Sequence, residues 1–150
     1  RQAFGDGIFC GDSLDRRALG QLVFSDSQKR DELNAILHPL ILREITRQLD
    51  AFDAPERLVI GDIPLLYECG MQTLFDAVWV VSVPRETQMQ RLAQRDGLDR
   101  TQAERRIDAQ MPLAQKEQLA DAVIHTDGTI EQTQRQIDAL LCRLAQRRKP

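Results

Sequence analysis

Apolar positions change period near residue 50, which divides the chain into a helical first half and a second half of alternating strands and helices. The stretch LDRRALGQLVF puts Leu14, Ala18, Leu19, Leu22 and Val23 on one helical face, with Asp12 or Ser13 available as cap. Residues 5–12 (GDGIFCGD), rich in Gly and Asp, read as a turn-forming loop. After a cap at Ser25 or Ser27, Leu33, Ile36, Leu37, Leu40, Ile41 and Ile45 keep helical spacing through to Leu49. Proline removes a backbone donor and presses on the preceding turn. Pro39 therefore predicts two helices here, and it falls near the first turn of the second.

Two continuous apolar runs follow, Leu58 to Ile60 and Ala77 to Val83, and runs without polar alternation suit strands buried on both faces of a parallel sheet. Pro84 precedes the helical stretch RETQMQRLAQRD, with Gly97 as its stop. Thr101 and Glu104 have capping-box spacing before another helix, and Pro112 opens the next. Ala122 to His125 is a third strand, closed by the turn Thr126-Asp127-Gly128. Thr129 and Gln132 form a second capping pair for a last helix whose buried face is Ile130, Ile137, Leu140, Leu141 and Leu144, and Arg147, Arg148 and Lys149 near its end complement the helix dipole. The second half thus predicts an α/β sheet with right-handed crossovers, and ligands in such sheets collect at the carboxyl ends of strands. Chemistry is expected just after Ile60, Val83 and His125.

Composition narrows the function classes. With 42% apolar and 29% charged residues the chain is a globular domain, and no stretch approaches the ~20 apolar residues of a membrane span. A formal charge of −3 argues against a nucleic-acid coat, which needs a clustered basic surplus. Of the 20 basic residues only Lys29, Lys116 and Lys149 are lysine. Arginine suits forked phosphate contacts, and high-GC codon usage gives the same bias. Cys10, Cys69 and Cys142 are far apart with no C-x-x-C pair, which points to reduced thiols and a cytoplasmic location. The first residue is Arg1 rather than Met, so the expectation is of a sequence that starts inside a longer protein.

Asp62-Ile63-Pro64-Leu65-Leu66-Tyr67-Glu68 is the most informative stretch: a carboxylate directly after a strand reads either as a charged group at a sheet mouth or as a helix cap. His38, between apolar helices, reads as a packing residue or a catalyst, and with His125 it offers no metal-ligand spacing. Arg91 and Arg95 share a helix face, Arg105 and Arg106 follow past Gly97, and residues 85–106 hold six Arg against four acids. Such a pair of helices is either a solvated face or a carrier of positive charge to a phosphoryl-transfer site.

As a set, Phe4-Gly5, LDRRALGQLVF at 14–24, LNAILHPLI at 33–41, DIPLLYE at 62–68, QRLAQRDGL at 90–98, RIDAQMPLAQK at 106–116 and Ala120-Asp121 resemble the dephospho-coenzyme A kinase family. The resemblance implies an α/β P-loop kinase-like fold that transfers the γ-phosphoryl group of ATP, with Mg²⁺, to the ribose 3′-hydroxyl of dephospho-CoA. It implies a helical CoA-binding insertion at 12–52, core sheet and helices at 57–89 and 119–150, and a lid at 90–118. By the same resemblance His38, Asp62, Pro64, Leu65, Leu66, Glu68 and Gln110 border the acceptor, and Arg91, Arg95 and Arg106 approach the phosphates. Thr126 and Gly128 fall at the nucleotide position, although Thr126 stands where the family usually has Asn. The partners implied are the two small-molecule substrates, with no nucleic acid and no membrane.

A phosphate-cradling G-x-x-x-x-G-K-[ST] loop is absent, because no lysine of the chain follows a glycine. The expectation is therefore of a partial sheet lacking its central P-loop strand, with ATP and Mg²⁺ bound mainly upstream of Arg1. Such a chain is expected to be inactive alone and marginally stable, its first two strand runs facing a gap. The competing class is a non-catalytic module that binds CoA or a nucleotide, or a partner surface.

Overall fold

In a computed structural model, residues 2–52 and 58–147 are described, and the chain divides into two compact units, Arg1–Pro64 and Leu65–Pro150.

The first unit is helical apart from its start. A 3₁₀ turn at Asp6–Ile8 leads into strand β1 (Phe9–Cys10), paired antiparallel with β2 (Ser13–Leu14). Gly11, at the first position of this two-residue connection, has φ 62°, a conformation open to glycine. The loop expected at residues 5–12 is therefore a small hairpin that also absorbs Ser13 and Leu14. Helix α1 (Arg16–Ser25) starts later than Asp12 or Ser13 would place it, because Asp15 Oδ1 accepts the Arg17 and Ala18 amides at 2.9 and 3.0 Å. Asp26 ends α1 through its amide to the Leu22 carbonyl and caps α2 (Ser27–Asp50) through Oδ1, so neither Ser25 nor Ser27 is the cap.

Helix α2 runs unbroken through Pro39, where two helices were expected. Proline removes one bond of the ladder and costs about 3 kcal/mol in a helix interior, but the turns on either side keep their own bonds. Its apolar face has the expected spacing, yet no residue of α2 is buried; among the described residues of this unit the buried positions are Ile8 and Val23.

Leu58 to Ile60 form no strand, and Ile60 is 78% exposed. A strand exists only as a pair, and this β-branched run has no ladder partner among the described residues.

The second unit is an α/β layer. Gly70, with φ 65°, leads into a 3₁₀ turn at Met71–Leu74 that buries Met71. Strand β3 (Trp79–Ser82) pairs in parallel with β4 (Ala122–His125), in the register Val80 opposite Val123 and Val81 opposite Ile124. Between them lie α3 (Arg85–Asp96), α4 (Arg100–Asp108) and α5 (Leu113–Leu119); α6 (Ile130–Arg147) follows β4. The sheet is buried on one face only, for Val80 and Ser82 are buried while Val81 is 61% exposed. Gly97 (φ 64°) ends α3 and Pro112 opens α5, as expected. The cap of α4 is Asp99 with Gln102 in a capping box, in place of Thr101 with Glu104. In α6 the Thr129–Gln132 box forms, with Thr129 N–H on Gln132 Oε1 at 2.8 Å and Gln132 N–H on Thr129 Oγ1 at 3.3 Å. Ile137, Leu140, Leu141 and Leu144 are half-buried; Ile130, in the first turn, is 84% exposed. Arg148, Lys149 and the Arg147 side chain lie outside the described residues. Among those residues no helix is long and apolar enough to cross a membrane.

Candidate functional site

In the second unit the expected arginines occupy two places. Arg91, on α3, reaches the turn after β4: its Nη1 donates to Thr126 Oγ1 at 3.2 Å and its Nη2 to the Thr126 carbonyl at 2.6 Å. Thr126 is in turn bound to β3, its amide and hydroxyl both donating to the Ser82 carbonyl at 2.9 and 3.3 Å. The carboxyl ends of both strands are thereby joined, and the guanidinium of Arg91 faces them. Gly128 completes the turn, where an added Cβ would collide with the Gln132 amide that caps α6.

Gln136 was not singled out in the sequence, yet it closes the end of β4. Its side-chain amide accepts from the His125 N–H at 2.9 Å and donates to the His125 carbonyl at 2.8 Å, as a neighbouring strand would. Ser82 Oγ, also buried, donates to Glu117 Oε1 of α5.

Arg95 and Arg106 come from different helices and meet at Asp96. Arg95 donates Nε to Oδ1 at 2.9 Å and Nη2 to Oδ2 at 3.0 Å, and Arg106 Nη1 donates to the same Oδ2 at 2.5 Å. The hydrogen bond from Arg95 is the main reason the Asp96 carboxyl lies below its usual range. A second bridge between the two helices joins Arg85 to Asp108 at 2.8 Å.

Glu68 and Gln110 belong to one cluster around Lys116 of α5. Lys116 Nζ lies 2.8 Å from Glu68 Oε1 and 3.5 Å from Gln110 Oε1, and Glu68 Oε1 also accepts the Met111 amide at 2.8 Å. Leu65 and Leu66 are half-buried in the turn that carries Glu68, which is closed by the Cys69 amide on the Leu65 carbonyl and the Met71 amide on the Leu66 carbonyl. Nearby, burial pushes the Tyr67 hydroxyl and the Cys69 thiol up from their ordinary values.

In the first unit His38 is half-buried on α2, and its Nε2 is shielded without a hydrogen-bond partner among the described residues. Asp62 and Pro64 are exposed in the irregular segment after Ile60. Asp62 caps no helix there, since the next regular element is the turn at Met71–Leu74 with Gly70 at its cap position.

Lys116, Asp96 and Gln136 are residues that sequence reasoning did not select. Lys116 stood at the end of RIDAQMPLAQK and Asp96 inside QRLAQRDGL, adjacent to Arg95, but nothing local marked the lysine as buried or either residue as a meeting point of charges. Among the described residues no group of three or more His, Cys, Asp and Glu side chains is gathered to hold a metal, so no step of Mg²⁺ chemistry is assigned to them.

A family model described as dephospho-CoA kinase matches residues 1–132. The dephospho-CoA kinase of Bacillus licheniformis is 46% identical over 143 residues, which cover 93% of this chain and 71% of that protein. That of Syntrophotalea carbinolica is 47% identical over 143 residues, covering 94% and 68% respectively. A solved structure from Thermus thermophilus is 36% identical with a TM-score of 0.74, covering 95% of this chain and 73% of that one. The dephospho-CoA kinase structure from Campylobacter jejuni, at 24% identity and TM-score 0.62 over 95% of this chain, shares the fold.

Proposed function

The chain belongs to the dephospho-CoA kinase family, and from that premise we propose how its residues divide the transfer of the ATP γ-phosphoryl group to the ribose 3′-hydroxyl of dephospho-CoA. The reaction is the last step of coenzyme A biosynthesis. Phosphoryl transfer offers a protein little covalent work, so rate comes from aligning donor and acceptor and from neutralising charge that spreads over the phosphoryl oxygens.

Arg95 and Arg106 supply that neutralisation from a helical lid at 90–118. The observation that carries this reading is their convergence from α3 and α4 on one carboxylate oxygen, at 3.0 and 2.5 Å. Two guanidiniums so close form a site for a polyanion, with donors that strengthen as negative charge develops. Arg91 acts at the nucleotide end. Bound to Thr126, it holds the turn through Gly128 at the strand ends, where ligands of open parallel sheets collect.

On the family resemblance we assign acceptor contacts to His38, Asp62 and Pro64 of the first unit, with the helical segment 12–52 as the CoA-binding portion, and to Leu65, Leu66, Glu68 and Gln110 of the second. Leu65 and Leu66 offer an apolar surface, and Glu68 and Gln110 are set by Lys116 and the Met111 amide. Asp62 orients the ribose at its hydroxyl.

The test is transfer of labelled phosphate from ATP to dephospho-CoA, run on the 150-residue chain and on a form extended upstream of Arg1. The expected result is product carrying the label on the ribose 3′-oxygen in the extended form, and background turnover in the shorter one. An active form that phosphorylates another acceptor and leaves dephospho-CoA unchanged would overturn the reading.

A further inference from the structure

We propose that Asp96 is a positioning residue for the reaction: its carboxylate draws Arg95 and Arg106 into one anion-binding fork and so sets where both guanidiniums meet the phosphates. The inference rests on the reading of those two arginines as phosphate-facing.

Three observations support it. Asp96 Oδ2 is shared by donors from two helices, so the carboxylate, rather than either arginine, defines their common point. Without a negative charge between them the guanidiniums would repel, and two long side chains would spread over many rotamers. Asp96 is also the more shielded partner, with its side chain 23% exposed against 71% for Arg95, which leaves the cation outermost. Finally, Asp96 is the last residue of α3, directly before Gly97 at φ 64°. A carboxylate at a helix C-terminus opposes the helix dipole, so helix formation gives no reason for an acid there, while two cations facing it do.

The fork also explains a geometric need. Arg95 and Arg106 lie on opposite sides of the α3–α4 turn, and a backbone joint alone leaves their tips unrelated. Asp96 sits at the joint and links both tips to it.

The experiment is steady-state kinetics of the full-length active enzyme bearing Asp96→Asn, Asp96→Glu, Arg95→Ala with Arg106→Ala, and Asp96→Asn added to that arginine pair. Asp96→Asn is expected to lower kcat about tenfold with little change in the KM for dephospho-CoA, because arginines that no longer share an anion stabilise the transition state less well. Asp96→Glu, which keeps the charge, should stay within about threefold of the parent. In the background lacking both arginines, Asp96→Asn should cost nothing further. Thermal unfolding of each variant separates lost folding from lost positioning, and Asp96→Ser, which also removes the charge, carries the test if Asp96→Asn does not fold. Normal kcat in Asp96→Asn, an equal loss in the glutamate variant, or a full loss persisting without the arginines would each overturn the proposal. If the arginine substitutions alone left kcat unchanged, the site reading beneath it would fail instead.

Discussion

Lys116 Nζ lies 2.8 Å from Glu68 Oε1 in a pair whose side chains are only 11% and 18% exposed. Glu68 Oε1 also receives the Met111 amide, and Oε2 is shielded without a hydrogen-bond partner among the described residues. The ion pair thus fastens the turn around residues 65–70 to the segment that begins α5. Breaking a buried pair from one side leaves an uncompensated charge, whereas replacing both partners with apolar groups is often neutral. Lys116→Met should therefore lose about 3–5 kcal/mol in urea unfolding, and the double variant Lys116→Met, Glu68→Leu should recover much of it. Equal losses in the single and double variants would show that packing, not the charge pair, holds this corner.

Arg95→Ala and Arg106→Ala should each lower kcat of the active enzyme by about 10² to 10³-fold and raise KM less, since donors aimed at developing charge act on the transition state. Asp62→Asn should alter the KM for dephospho-CoA as well as the rate. Near-normal kinetics in all three variants would remove these residues from the site while leaving the family unchanged.

Cys69 should be the slowest thiol to alkylate. Burial, and then the nearby Glu68 charge, raise its pKa, while Cys10 and Cys142 are exposed. The thiolate is the reactive form, so at neutral pH iodoacetamide followed by mass spectrometry should label Cys10 and Cys142 first. Labelling of Cys69 at their rate would contradict the burial seen here.

Near the end of α2, hydrogen bonds from Arg47 and Gln48 bring the Glu44 carboxyl down to about 2. A depressed carboxylate contributes stability that is present above its unfolded-state pKa and is lost as pH falls through the folded value. The contribution should accordingly fade from the ordinary glutamate range down toward pH 2. It is small, because both side chains of the pair are exposed to solvent. Carbon-detected NMR titration should find the Glu44 midpoint well below the ordinary glutamate range, and Arg47→Ala should move it up toward that range.

Amide exchange separates the strand runs. The Asp121 and Thr126 amides bond the Val78 and Ser82 carbonyls at 2.9 Å at the two ends of the β3–β4 ladder, and they should exchange slowly together with the ladder between them. Amides of Leu58, Val59 and Ile60 should exchange quickly, having no ladder partner among the described residues. Protection at Val59 and Ile60 equal to that of Val80 would refute the unpaired state of this run.

The caps show where local reading stops. Asp12, Ser13 and Asp15 all stand before α1, Ser25, Asp26 and Ser27 around the start of α2, and Asp99 and Thr101 beside the start of α4. Each group offers several side chains of capping chemistry, and the aspartate prevailed each time. At α1 the choice follows from the hairpin of β1 and β2, which engages Ser13 and ties the Asp15 amide to the Ile8 carbonyl at 2.8 Å. At α6 the flanking residues offer one reciprocal pair, and Thr129 with Gln132 forms as read.

What the amino-acid order determined by itself is short in range: the stop of α3 at Gly97, the opening of α5 at Pro112, the box at Thr129, the strands around Val80 and Val123, and the motif set that marks the family. These depend on backbone preference and on neighbours within a turn, which periodicity and residue type report directly. Tertiary structure alone decided that Trp79–Ser82, within the apolar run, finds a parallel partner at Ala122–His125 while Leu58–Ile60 finds none among the described residues, and that Val81 faces out. It alone joined Lys116 to Glu68, Arg106 to Asp96 and Gln136 to His125. A strand needs a partner and a buried charge needs a counter-charge, and in each case the partner lies elsewhere in the chain, where a pattern read along one segment carries no information about it.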